Sequence, residues 1–192
     1  MKRYALILAG FFVMLNARPQ ESIWKMTYDV SLPLSATGEF AGQFSWRGIA
    51  LDFDRFINDQ LSVGLGVSWS VFLEKEPQSY YQNEDMLTHG TQVRYINSVP
   101  LLARFSWYTA PSGSYRAYFS AGVGTAWQER RRDVGLWTFG DDYWQFALSP
   151  EAGIIIPVSR TYLTAKLRYV QGFKTPAIPS LSYLSLGVGY AW

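Results

Sequence analysis

Residues 61–73 read LSVGLGVSWSVFL, and their two faces differ completely in chemistry. The odd positions Leu61, Val63, Leu65, Val67, Trp69, Val71 and Leu73 are all apolar, whereas Ser62, Gly64, Gly66, Ser68 and Ser70 are small or polar until Phe72 ends the pattern. A period of two is the signature of a strand with unlike faces. Strands of soluble domains usually run to about five or six residues, whereas a tilted strand needs about 9–11 to cross a bilayer core. The stretch is therefore read as a membrane-crossing strand.

The same alternation recurs along the chain and predicts eight strands. The first, near 23–34, sets Trp24, Met26, Tyr28, Val30 and Leu32 against Lys25, Thr27, Asp29 and Ser31. The second is expected near 43–56, with a bulge around Gly48 where the apolar phase slips. After 61–73 come strands near 91–109, 115–128, 143–157 and 161–173, and the closing stretch LSLGVGYAW. The links INDQ, APSGS and SR are tight turns rich in Asn, Asp, Pro, Gly and Ser. Those near 35–42, 74–90, 129–142 and 174–180 are longer. Short turns on one side and long loops on the other, with an even strand number, are the habit of outer-membrane barrels, whose termini both face the periplasm.

Composition bounds the alternatives. The chain has 192 residues, 17% of them aromatic, yet its mean hydropathy is only -0.04. Seventeen Lys and Arg stand against 15 Asp and Glu, a balance that lacks the basic excess of a nucleic-acid binder. The absence of cysteine excludes disulfides and thiolate metal sites. MKR, then YALILAGFFVML, then NA before polar RPQES has the layout of a secretory signal peptide. The expected division is a leader over 1–17 and one barrel domain over 18–192.

Alternation alone does not separate a membrane barrel from a soluble one turned right side out. The polar face does, because it carries charges of both signs, Lys25, Asp29, Asp54, Arg94, Arg104, Arg116, Glu151, Lys166 and Arg168, among Gly and Ser. We expect Arg104, Arg116 and Arg168 to pair with Glu151, Asp29 and Asp54 inside the lumen, since isolated charges there are costly to desolvate. Eight strands enclose an interior that side chains can fill, so a plug rather than a pore is expected. Aromatics near strand ends, Trp69, Trp107, Trp127, Trp144 and Trp192 among them, fit interfacial girdles. Trp192 would also close the signal read by the barrel-assembly machinery.

INSVPLLARFSWY, YRAYFSAGVGTAW, EAGIIIPVSRTYLTAKLRYVQGF and LSLGVGYAW, in that order, resemble the PorT-like outer-membrane β-barrel family across residues 95–192. The resemblance implies an eight-stranded outer-membrane barrel in a family some of whose members serve secretion or motility machinery. It brings no catalytic residue, metal or cofactor.

Function is then sought in the loops. The stretch ERRRDVGLWTFGDDYW places Arg130, Arg131 and Arg132 near Trp137, an arrangement suited either to lipopolysaccharide phosphates or to a protein partner. A structural or interaction role, as accessory subunit of an envelope or secretion complex, is the main reading. An adhesive barrel is one alternative. A lipid-A-modifying enzyme, acting through His89, the single histidine, is the other.

Overall fold

The computed structural model describes residues 21–83, 86–109, 115–134, 137–159, 161–176 and 178–192, with side chains at 77–90 excepted. The expected leader over 1–17 lies outside the described residues. Eight strands follow in chain order: β1 (Ser22–Pro33), β2 (Gly48–Phe56), β3 (Leu61–Asn83), β4 (Met86–Tyr108), β5 (Arg116–Val134), β6 (Trp137–Val158), β7 (Thr161–Gly172) and β8 (Leu181–Ala191). One short helix, α1 (Ser35–Phe40), sits between β1 and β2. Every strand pairs antiparallel with its sequence neighbours, and β8 returns to β1 over Lys25↔Ala191 to Pro33↔Tyr183, closing the barrel. A closed barrel leaves no strand edge unpaired.

Alternation in β3 decides which way the barrel faces. Leu65 is 66% exposed and Trp69 50%, while Ser62, Ser68, Ser70 and Phe72 are buried. The same holds in β1, where Trp24, Met26 and Tyr28 are exposed and Lys25, Thr27, Asp29 and Ser31 are buried. Apolar residues thus cover the outside and polar ones line the lumen, the arrangement of a membrane barrel. The glycines of LSVGLGV now have a spatial reason. A Cβ on Gly66 would meet Asp52 Oδ1 at 2.5 Å and Arg104 Cδ at 2.8 Å, so β3 yields its inward space to charged side chains of β2 and β4.

Three expectations are corrected. β2 begins at Gly48, and its pairing with β1 and β3 runs without a bulge. The phase slip arises because Trp46 precedes the strand, in a segment held by the isolated bridge Ser31↔Ser45. Secondly, much of 74–90 and 129–142 is strand rather than loop: β3 and β4 are each 23 residues long, β5 is 19 and β6 is 22. Their length exceeds a bilayer crossing about twofold, so two hairpins stand well beyond the apolar belt. Finally, 35–42 contains α1, only six residues long and without a side-chain N-cap. Such a helix has little stability alone; it is held by Thr37, whose hydroxyl oxygen accepts the Ser182 N–H at 2.8 Å.

Candidate functional site: the lumen and its two mouths

The lumen's middle is an ion-pair network drawn from five strands, β1, β2, β4, β6 and β7. Its anions are Asp29, Asp52, Asp54 and Glu151; its cations are Lys25, Arg104, Lys166 and Arg168. Glu151 accepts from Arg104 Nη2 at 2.8 Å and from Arg168 Nε at 2.5 Å. Asp52 takes Arg168 at 2.6 Å, Lys166 at 2.9 Å and Arg104 at 3.1 Å. Asp54 binds Lys25 at 2.6 Å and the Tyr108 hydroxyl at 2.7 Å. Asp29 accepts the Thr27 hydroxyl at 2.6 Å and lies 3.9 Å from Lys166. Four charges of each sign cancel, which is the condition for burying them at tolerable desolvation cost.

Sequence reasoning placed Asp29, Asp54, Arg104, Glu151 and Arg168 on the polar face, and the structure brings them together. It missed Asp52, the anion with the most partners, although Asp52 shares the parity of Asp54 in β2. Arg116 is elsewhere. As the first residue of β5 it ends at the rim, where its guanidinium lies 4.9 Å from both the Phe56 and Tyr108 ring centres. Its Nε donates to the Thr109 carbonyl at 3.1 Å, and Nη2 donates to the Asp59 carbonyl.

Apolar clusters cover the network on both sides. Towards the termini, Tyr108, Tyr118 and Ile155 pack with Ile23 and Phe56. Towards the long hairpins, Phe72, Ile96, Leu102, Ala126, Ala147, Val170, Leu181 and Tyr183 form a second layer, with Phe40 of α1 packed against it. Between this layer and the charges lie hydroxyl contacts, Ser31 with Ser185 at 2.7 Å and Ser98 with Tyr183 at 3.2 Å. The interior is filled by side chains, as the small circumference of an eight-stranded barrel permits.

At the mouth below the long hairpins, three guanidinium groups surround one ring. Arg130 and Arg132 lie 5.4 Å from the centre of Phe40, and Arg94 lies 6.0 Å from it. Arg94 pairs with Glu76 at 2.6 Å and donates to the Phe40 carbonyl at 3.3 Å. Arg130 donates to the Ser180 carbonyl at 2.8 Å. Arg131 has the opposite parity: it lies over Tyr95 at 4.8 Å and pairs with Asp133 at 3.2 Å. Trp137 is exposed at the start of β6. A hollow of about 260 Å³ is lined by Phe40, Arg130, Arg132, Phe139, Gly140, Asp141 and Tyr143. The run of three arginines is thus split by strand alternation, two inward and one outward.

The opposite mouth is an aromatic bowl of about 530 Å³ bordered by Phe56, Tyr108, Tyr115, Tyr162, Trp192 and Arg116. On the outer surface Trp69, Trp107, Trp144 and Trp192 are exposed, and Trp107 stacks on Phe119 at 6.2 Å. Trp127 is half-buried, its Nε1 donating to Asp142 at 3.4 Å. His89 stands opposite Tyr80 in the β3–β4 ladder, and its side chain lies outside those described. Among the described residues no cluster of His, Asp or Glu could hold a metal ion.

The sequence matches no known family profile and no characterised protein. The fold has solved counterparts. Neisserial surface protein A superposes with a TM-score of 0.60 at 13% identity, over 91% of this chain and 98% of its own. Ail, the attachment invasion locus protein of Yersinia pestis, solved with the heparin analogue sucrose octasulfate, gives 0.52 at 14% identity, over 91% of this chain and all of its own. Inside-out burial, a sealed polar lumen and this likeness together give the chain the fold of the small eight-stranded outer-membrane β-barrels.

Proposed function

We propose that this protein is an integral component of a bacterial outer membrane whose task is binding at the cell surface, either as an adhesive barrel or as a subunit docking to an envelope complex. The observation that carries the reading is the contrast between its parts: the lumen is closed by packed side chains, whereas two strand hairpins reach far past the apolar belt. Arg131 and Trp137 on the β5–β6 hairpin are residue types that anchor interfaces. Both termini then face the periplasm, the leader over 1–17 is removed on export, and β8 with Trp192 is the segment offered to the assembly machinery. On the order of its motifs across 95–192 we place the chain in the PorT-like family. The exposed apolar belt takes outer-membrane lipid as its other partner.

The test keeps the barrel and removes the hairpin. Glu129 pairs with Asp142 in the β5–β6 ladder, so replacing 130–141 by Asn-Gly retains register and supplies a two-residue turn. Extraction in mild detergent followed by mass analysis of the intact particle should show partners on the wild type that the shortened barrel lacks. A shortened barrel that folds and keeps every partner overturns the reading.

A further inference from the structure

Within the arginine cluster at the hairpin-side mouth, Arg130 has no carboxylate among its described contacts. Arg130 is held by a neutral acceptor, the Ser180 carbonyl, and burial pushes its pKa below the ordinary arginine value. The ion pairs described around it belong to others: Arg94 to Glu76, Arg131 to Asp133. Asp141 stands opposite Arg130 in the ladder, but no ion pair described joins the two. A partly buried guanidinium gains most from a charge-assisted, two-pronged contact with an oxyanion. The hollow beside Arg130 and Arg132 has room for such a group, and Phe40 and Tyr143 form part of its wall.

We propose that this hollow binds one phosphate or sulfate group carried on a sugar, gripped by Arg130 over the face of Phe40. The proposal rests on the reading of this end as the cell-surface end and deepens it by naming the ligand chemistry. Arg94 is already committed to Glu76 and the Phe40 carbonyl, so it holds α1 in place rather than the ligand. Asp141 is the one carboxylate among the described residues lining the hollow, and it opposes the anion. That opposition supplies a discriminating substitution.

The experiment uses the protein extracted in a maltoside detergent, which carries no phosphate, and titrates glucose 6-phosphate, glucose 6-sulfate and plain glucose while following ligand signals by saturation-transfer NMR. Both charged sugars should bind and glucose should not. Arg130→Gln should weaken binding about tenfold, the loss of one charge-assisted contact of about 1.4 kcal/mol. Asp141→Asn should strengthen it about two- to threefold, the size of an exposed charge interaction. Arg116→Gln, at the other mouth, should change nothing. In parallel, native mass spectrometry of protein in nanodiscs made with phosphorylated or dephosphorylated lipopolysaccharide identifies the source of the sugar. Retention of phosphorylated lipid by the wild type and its loss in Arg130→Gln would assign the site to the membrane's own glycolipid; binding of free sugars alone would assign it to an external glycan. If neither arm depends on Arg130, or if Arg130→Gln only lowers the melting temperature, the site is a clamp on Ser180 and the proposal fails. Loss of partners on hairpin replacement without dependence on Arg130 would leave the surface reading standing and remove only the anion site.

Discussion

Replacing Glu151 by glutamine should cost this barrel about 3 kcal/mol of unfolding free energy. Glu151 is 4% exposed and serves two cations at once: Arg104 at 2.8 and 3.2 Å through both oxygens, and Arg168 at 2.5 Å. Glutamine keeps the shape and one acceptor but removes the charge, leaving four cations facing three anions. Breaking a buried pair by neutralising one partner costs about 3–5 kcal/mol, because the other charge stays buried without compensation. The lower end applies here, since Asp52 still lies 3.1 Å from Arg104 and 2.6 Å from Arg168. Arg168→Gln added to Glu151→Gln restores four-part balance at three against three, so the double variant should be more stable than the sum of the two losses by about 1–2 kcal/mol. Urea unfolding of the detergent-folded barrel, followed by tryptophan fluorescence, reads both quantities through the midpoint and slope. A Glu151→Gln midpoint within about 0.5 kcal/mol of wild type, or strictly additive losses, would mean that water already screens these charges and that the sealed lumen is wrongly argued.

Gly66→Ala should destabilise by about 1–3 kcal/mol, the usual cost of overpacking, because its new methyl meets Asp52 and Arg104; the same urea titration measures it. Arg116→Gln should shift stability by less than about 0.5 kcal/mol, as its hydrogen bonds at the rim go to neutral carbonyls, and a loss comparable to that of Glu151→Gln would place it in the network after all. Phe72→Ala should cost about 3–5 kcal/mol, since the ring is fully buried and packs 5.2 Å from Tyr183. In planar bilayers the wild type should show no steady conductance, given apolar layers on both sides of the charges; stable open channels would contradict the packing.

The strand pattern was legible because a membrane barrel writes its two environments into alternate residues. LSVGLGVSWSVFL could be read directly, and so could the faces of β1, since the first stays regular up to Phe72 and the second from Trp24 to Leu32. β2 resisted, because Trp46 and Arg47 run into it without belonging to it and shift its apparent phase, although Asp52 and Asp54 alternate regularly with Leu51 and Phe53. The extended hairpins were hidden for a different reason: beyond the bilayer no lipid demands an apolar outer face, so the sequence over 74–83 and 129–134 loses its alternation while the ladder continues. The polar face named which charges would enter the lumen, but alternation gives no depth. It therefore did not separate Arg116, at the strand's first residue, from Arg104 and Arg168 in its middle. Phe40 was invisible as the centre of the arginine cluster, since nothing local marks α1 as a helix that folds over the mouth.

The seam between β1 and β8 sets the order in which this barrel can become whole. Trp24 and Trp192 exchange backbone hydrogen bonds at 2.9 and 3.0 Å, joining two strands separated by nearly all of the chain. Pairings of such long sequence separation form late and slowly. Until they form, β1 and β8 are bare edges, and Asp29 of β1 has yet to meet Lys166 of β7 across the seam. Sealing against water, cancellation of charge and loss of the last sticky edge are thus one event rather than three. Before it the chain is vulnerable to any strand that will pair with it, and afterwards it offers none. The last strand therefore finds its place only when the first is there to receive it.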